Sequence, residues 1–330
     1  MPLEKPRQLP LPMSDGGCCS ETFRGIDARN FGVEPDLLCA NVQNCCGRRT
    51  DWPVVLERTL GYTLPRAGTI ADVPDLPNVI HSFKGDMSHI PYIGALEGMV
   101  WAMRYSRALA GTLKSTTRLS EWMRNQKLST EKLVLFHQET RDKDLERLFK
   151  RTFLPNFFPT VGAVSNCLMV SPGYSVYDNG SMCRHHQLYN LWRSIDFFVR
   201  ACDHGIPCVP SLGWNLKVDL ERIAEWLNLH PSLRYVAINC QTIRQNQFGD
   251  IADALSYIES MSRELRWVVF GGPKIIEYLS ARGFGERLHL VTTRHVEATK
   301  AGTNLDASHY VQDRRERFLN NYHTVAKTFG

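Results

Sequence analysis

The chain has 330 residues, 43% of them hydrophobic and 22% charged, a composition that excludes disordered, collagenous and low-complexity classes. Lys and Arg outnumber Asp and Glu by 39 to 34, an excess that permits an anionic partner such as a nucleotide or nucleic acid without requiring one. No apolar run reaches the ~18–20 residues that cross a bilayer. Met1–Pro12 is polar and proline-containing and lacks the apolar core of a secretory signal, so the expected setting is cytoplasmic, with no membrane partner.

Residues 1–78 read as a flexible arm followed by a cysteine-rich extension. Within them only Pro53–Leu60 offers a short helical pattern. Regular patterning starts at residue 79, and 79–330 is expected to form one α/β domain. Val79–Phe83 reads as a strand, Ala95–Leu109 and Ser120–Gln126 as helices. Strand and helix then alternate. Strands are expected at Leu133–Phe136, Cys167–Val170, Ile206–Leu212, Tyr235–Ile238, Trp267–Phe270 and Leu288–Val291. Helices are expected at Lys143–Lys150, Gln187–His204, Asp219–Leu227, Ile251–Arg263, Lys274–Ala281 and Val311–Lys327.

Short strands that are apolar on both faces and separated by helices imply parallel pairing. Six fall between 133 and 293; the strand near 80 and one more between 85 and 132 would make eight. The expected fold is therefore a (β/α)8 TIM-barrel-like domain, with an open doubly wound sheet as the alternative.

In both architectures ligands bind beyond the C-terminal ends of the strands. The residues there include Lys84, His137, Glu139, Tyr174, Asp178, Trp214, Asn239, Gly271 and Gly272. Glu139 and Asp178 are the candidate acid/base or nucleophilic carboxylates, though either could cap a helix. Trp214 can stack on a base or close over the core. Gly271-Gly272 before a helix suits a phosphate at the helix N-terminus, or simply a tight turn. Lys84, His137, Tyr174 and Asn239 complete the candidate binding set, which suits a small polar ligand with a planar ring.

Five of the ten cysteines lie between residues 18 and 46. Cys18, Cys39, Cys45 and Cys46 could supply four thiolates to a zinc ion or an iron–sulfur cluster, or remain ordinary thiols. Cys167, Cys202, Cys208 and Cys240 sit in apolar elements and are expected in the core. Cys183, His185 and His186 read as the start of a helix.

The segments Leu168–Tyr177, Leu191-Trp192-Arg193-Ser194 and Ile206–Trp214 carry a resemblance. They resemble an uncharacterised domain family of bacteria, phages and mobile elements. In it a strand ends in a Ser-Pro-aromatic-Ser-x-Tyr loop, a helix carries Tyr/Trp-Arg-Ser, and a strand ends Ile-Pro-x-x-x-Trp. The likeness covers about residues 130–275, omits the cysteine-rich segment, and implies fold and mobile-element origin but no chemistry. Asp178-Asn179-Gly180 also loosely resembles the Asp-Ser-Gly motif of base-exchanging guanine transglycosylases, whose zinc cysteines lie late in the chain, unlike these.

Three functional readings follow. The first is an enzyme acting on a nucleotide or nucleic-acid base, of base-modifying or transglycosylase-like type. The second is a non-catalytic phage or mobile-element accessory protein that binds a host partner. The third is a metal-dependent hydrolase using His81, His137 and nearby acids.

Overall fold

A computed structural model describes residues 60, 62–82, 101–104, 134–137, 154–162, 166–174 and 184–329. In chain order these form β1 (Val79–Ser82), β2 (Trp101–Arg104), β3 (Val134–His137), α1 (Leu154–Gly162), β4 (Cys167–Val170), α2 (Arg184–Asp203), β5 (Cys208–Val209), β6 (Ser211–Leu212), α3 (Lys217–Asn228), β7 (Tyr235–Asn239), α4 (Phe248–Met261), β8 (Arg266–Phe270), α5 (Pro273–Ala281), β9 (Leu288–Thr292), α6 (Arg294–Lys300) and α7 (Arg314–Phe329). The strands lie in the order β5-β4-β3-β2-β1-β9-β8-β7-β6. Every pairing is parallel. This is the mixed α/β fold with parallel strands that the alternation of apolar runs implies.

Strand side chains alternate between two faces. On one face Phe136, Met169, Cys208, Val236, Trp267 and Leu290 merge with the apolar stripes of the helices. Those stripes have helical spacing, as in Leu220, Ile223, Ala224 and Leu227 of α3. On the other face Ile80, Leu135, Leu168, Val170, Val209, Ala237, Val268 and Val291 form a cluster to which no helix among the described residues contributes. Among the described residues, its only members from outside the strands are Val73 and Leu76.

Two expectations need correction. Trp101–Arg104, within the segment expected as the helix Ala95–Leu109, forms β2 and pairs with β1 and β3. The apolar spacing there is overridden by ladder hydrogen bonding on both sides. Ile206–Leu212, expected as one strand, is split at Pro210 into β5 and β6. Proline has no N–H to give a ladder. Its carbonyl still accepts from Ala237 N at 2.8 Å, while Val209 O accepts from Ser171 N at 2.9 Å. The helix α1 is not signalled by the sequence, because it contains Pro155 and Pro159. Its buried residues Phe157, Phe158 and Val161 hold it against the helix-side core. The helices expected at Ser120–Gln126 and Lys143–Lys150 lie outside the described residues, as do residues 53–59 of the pattern ending at Leu60.

Residues 62–78 run as an extended strap past α3 and across the N-terminal ends of β7 and β8. Trp226 Nε1 donates to Pro65 O at 2.8 Å, and Ala67 N donates to His230 Nε2 at 3.1 Å. Leu76 N donates to the Tyr235 hydroxyl at 3.2 Å. Arg234 meets Asp72 at 3.0 Å and Arg266 meets Asp75 at 3.1 Å. These ion pairs are well exposed and worth a few tenths to about 1 kcal/mol each. Burial of Val73 and Leu76 against the strand-only cluster is the larger contribution. Leu76→Ala should therefore destabilise the fold by about 3 kcal/mol, and Asp72→Ala by less than about 1 kcal/mol. Urea denaturation midpoints measure both, and equal effects would show that the strap is held by charge instead.

Candidate functional site

The strand-only face is mainly apolar within the strands, with Ser211 and His289 as polar exceptions, and polar residues follow at several strand ends. Ile80 gives way to Ser82 in β1, Leu135 to His137 in β3, and Val291 to Thr293 just past β9. Ser82 is registered with Ala102 and, through it, with Leu135, and His137 lies two residues further along β3. The Ser82 hydroxyl and His137 Nε2 are 3.0 Å apart, both residues buried. The His137 ring rests on Phe270 of β8, with centroids 5.0 Å apart.

These residues line a small cleft with Gln241, Gly271, Val291 and Thr293. Its volume is about 30 Å³, room for about one water and far below the roughly 300–1,000 Å³ of typical ligand pockets. Among the described residues, none that lines it is Asp, Glu, Lys or Arg. The loop behind it is fixed from two sides. Gln241 N donates to Asn239 Oδ1 at 3.0 Å, and Cys240 N donates to Phe270 O at 2.7 Å.

A second polar group lies beyond β4. The Arg193 guanidinium covers the Tyr174 ring at 3.6 Å and donates to Asn190 Oδ1 at 2.7 Å. The Ser194 hydroxyl donates to Pro172 O at 2.6 Å, and Ser211 N donates to Ser171 Oγ at 2.6 Å. Together they clamp α2 to the ends of β4 and β6.

His81 does not join His137. It faces the helix side, its Nδ1 3.1 Å from His295 Nδ1, with its ring 3.9 Å from that of Tyr322. Adjacent positions in a strand point to opposite faces, so His81 and Ser82 serve different surroundings. Burial, with a smaller contribution from neighbouring His323, lowers the His81 imidazole to about 3. A metal shared by His81 and His137 has no geometric basis here. Among the described residues no three His, Cys, Asp or Glu side chains converge as metal ligands.

Of the residues singled out in the sequence, His137 and Gly271 line the cleft, and Asn239 braces its loop. Tyr174 is buried under Arg193, and Trp214 packs partly buried against the helix-side core. Gly272 is the residue before the first turn of α5. Lys84, Glu139, Asp178, Cys18, Cys39, Cys45 and Cys46 lie outside the described residues. Cys167, Cys202, Cys208 and Cys240 are buried free thiols, as expected. Burial pushes Cys167 up to about 11 and Cys202 to about 12, so neither is a thiolate nucleophile at neutral pH. Sequence reasoning places Gln241 and Thr293 at strand ends without singling them out, and misses Ser82. The available signal is strand parity, a polar residue at the end of an alternate row on the strand-only face. No family model matches the chain, and no curated protein matches it.

The glycines differ in kind. A Cβ on Gly271 would meet Ile275 Cγ2 at 3.1 Å and Cys240 Cβ at 3.4 Å, whereas one on Gly272 meets nothing within 4 Å. Gly271→Ala should cost about 1 kcal/mol and Gly272→Ala should stay within about 0.5 kcal/mol of wild type; thermal unfolding of the pair decides. The His81 environment predicts an acid limb. The folded protein keeps His81 neutral down to about pH 3, while the unfolded chain protonates it near 6.5. The unfolded state therefore holds the extra proton between those values. Stability should fall as the pH drops from 6.5 towards 3, by up to about 1 kcal/mol per pH unit from this group. The slope should be shallower in His81→Asn, and an identical slope in denaturation midpoint against pH would refute the assignment.

Proposed function

We propose that the sheet closes into a (β/α)8 barrel, and that the protein is an enzyme acting on a nucleotide or nucleic-acid base at the C-terminal mouth, with His137 as the proton-transferring group. Closure is supported by the strand order, because β5 and β6 stand at its two ends yet are separated in the chain by Pro210 alone. Register supports it too. Ser82 pairs with Ala102, Ala102 with Leu135, and Leu135 with Leu168. Two residues on, Val170 pairs with Val209, and two further on Ser211 pairs with Ala237, then Val268, then His289. Another two-residue step reaches Val291, which pairs with Ile80, two short of Ser82. The circuit climbs four steps of two residues, a stagger of eight, as in (β/α)8 barrels. The contact of His137 with Phe270, from strands four places apart in the order, fits the same closure.

The Ser82–His137 hydrogen bond at the inner rim carries the functional reading. An imidazole nitrogen within reach of a hydroxyl, at the strand ends where parallel α/β enzymes work, is placed for acid–base chemistry. The nucleotide class is supported by the neutral hydrogen-bonding lining, by the net charge of +5, and by Gly272, whose bare backbone opens the N-terminus of α5 after β8. Late strand ends are the usual phosphate position in barrels. Asp178 and Glu139 remain the carboxylates proposed from sequence, and the family resemblance suggests a phage or mobile-element setting. The test incubates wild type and His137→Gln with nucleosides, nucleotides and a short single-stranded oligonucleotide, and follows product by mass spectrometry. Conversion should fall by about 100-fold or more in the variant with its unfolding temperature little changed. Equal conversion by the two proteins would remove His137 from the chemistry.

A further inference from the structure

We infer that the base reaches the mouth on a single strand of nucleic acid, rather than as a free nucleoside or nucleotide, and that Arg244, Lys274 and Arg294 hold the phosphates of that strand. This rests on the nucleotide reading above. Three of the cleft residues, Gln241, Gly271 and Thr293, follow the ends of β7, β8 and β9, which are neighbours in the sheet. Shortly beyond each stands an exposed cation: Arg244 after Gln241, Lys274 after Gly271 and Arg294 after Thr293. The chain between cleft residue and cation carries no acid in any of these connections. Asp250, Glu277 and Glu297 come later, inside α4, α5 and α6, and Glu297 accepts from the Thr293 hydroxyl at 2.8 Å.

The same strands carry cations at their other ends, and those are neutralised. Arg234 stands just before β7, Arg266 opens β8 and Arg287 stands just before β9. Arg234 pairs with Asp72 at 3.0 Å, Arg266 with Asp75 at 3.1 Å, and Arg287 with Glu259. At the C-terminal ends no ion pair engages Arg244, Lys274 or Arg294 among the described residues. Charge is therefore left free on the side where ligands of parallel α/β folds bind. Neighbouring strands lie about 4.8 Å apart and packed helices about 8–10 Å, so the three charges span an arc of roughly 10–20 Å. One phosphate group cannot meet all three across that arc, whereas successive phosphates of a strand can. Neighbouring like charges add to one field, and a backbone of repeating negative charge is the partner that such a row holds without reading sequence. The strand must be unpaired, because a base stacked in a duplex keeps its reacting edge out of reach of a cleft of about 30 Å³.

Fluorescence anisotropy of a labelled single-stranded oligonucleotide of about 12 nucleotides tests this, with deoxyribose and ribose forms measured separately and adenosine and cytidine monophosphates as competitors. Wild type should bind at least one strand about 100-fold or more tightly than either mononucleotide, and its log affinity should fall linearly with log salt concentration. Arg244→Gln, Lys274→Gln and Arg294→Gln should each reduce that slope by about 0.7, and the triple variant by about 2. Arg282 closes the opposite end of α5, so Arg282→Gln removes the same charge and should leave the slope unchanged. Circular dichroism should show every variant folded. Equal affinity for strand and mononucleotide, a slope unchanged in the triple variant, or the same loss of slope in Arg282→Gln as in Lys274→Gln would overturn the inference and leave the nucleotide reading standing. Failure of wild type to bind any of these strands or mononucleotides would overturn both.

Discussion

The structure depends on one short stretch of backbone, Cys208–Leu212. It supplies a partner to β4 through Val209 and to β7 through Ser211 and Leu212, with a proline between them. A parallel sheet has no hairpins to set its register, so pairing is decided by which side chains must be buried. In this segment the two flanking ladders are served by different residues. Pro207 O and Val209 O accept from β4 and its exit, and Pro210 O accepts from β7. A proline has no N–H to give a ladder. Here Ser171 Oγ takes the Ser211 N–H, a side chain completing what the backbone leaves open. A residue shift at this point would turn Ser211 and Val209 to the helix side and move every polar rim residue with them.

The rim chemistry follows from that register. On the strand-only face polar residues stand at the ends of β1 and β3 and just past β9, and on the helix side His81 lies beside His295 and Tyr322. Two histidines in comparable strand positions therefore have opposite fates. His81 is sealed between β1, α6 and α7, where desolvation forbids its charge. His137 faces the cleft with a hydroxyl partner and an aromatic floor. Residue type alone does not separate them; the face does.

Much of this is legible in the sequence because the C-terminal half is regular. The runs Tyr235–Ile238, Trp267–Phe270 and Leu288–Val291 are continuously apolar, as strands buried on both faces must be. The helices between them carry clean apolar stripes. Trp101–Arg104 reads as helix because Met99, Val100 and Met103 satisfy a helical spacing as well as a strand, and only neighbours distant in sequence decide between them. The helix α1 is hidden by prolines that burial outweighs. At the site, His137 and Gly271 stand out because they follow obvious strands. Ser82, Gln241 and Thr293 do not, since a lone Ser, Gln or Thr at a strand end reads as ordinary loop chemistry until three strands are brought together. Trp214 draws attention as an aromatic at a strand end, yet its surroundings are those of a packing residue.

The strap of residues 62–78 also bears on the order of folding. Its partners lie 159 residues away at Tyr235 and 163 at His230. During synthesis at the ribosome the strap emerges early and has nothing to dock on until α3, β7 and β8 have been made. The same delay applies to β1, whose partner β9 is among the last strands translated. Contacts of such long sequence separation slow folding and leave apolar surface waiting in the meantime. Val73, Leu76 and Ile80 are thus the residues a nascent chain must keep from the wrong partners longest. A substitution there would be felt first as lower yield of folded protein, before any change in the finished molecule's chemistry.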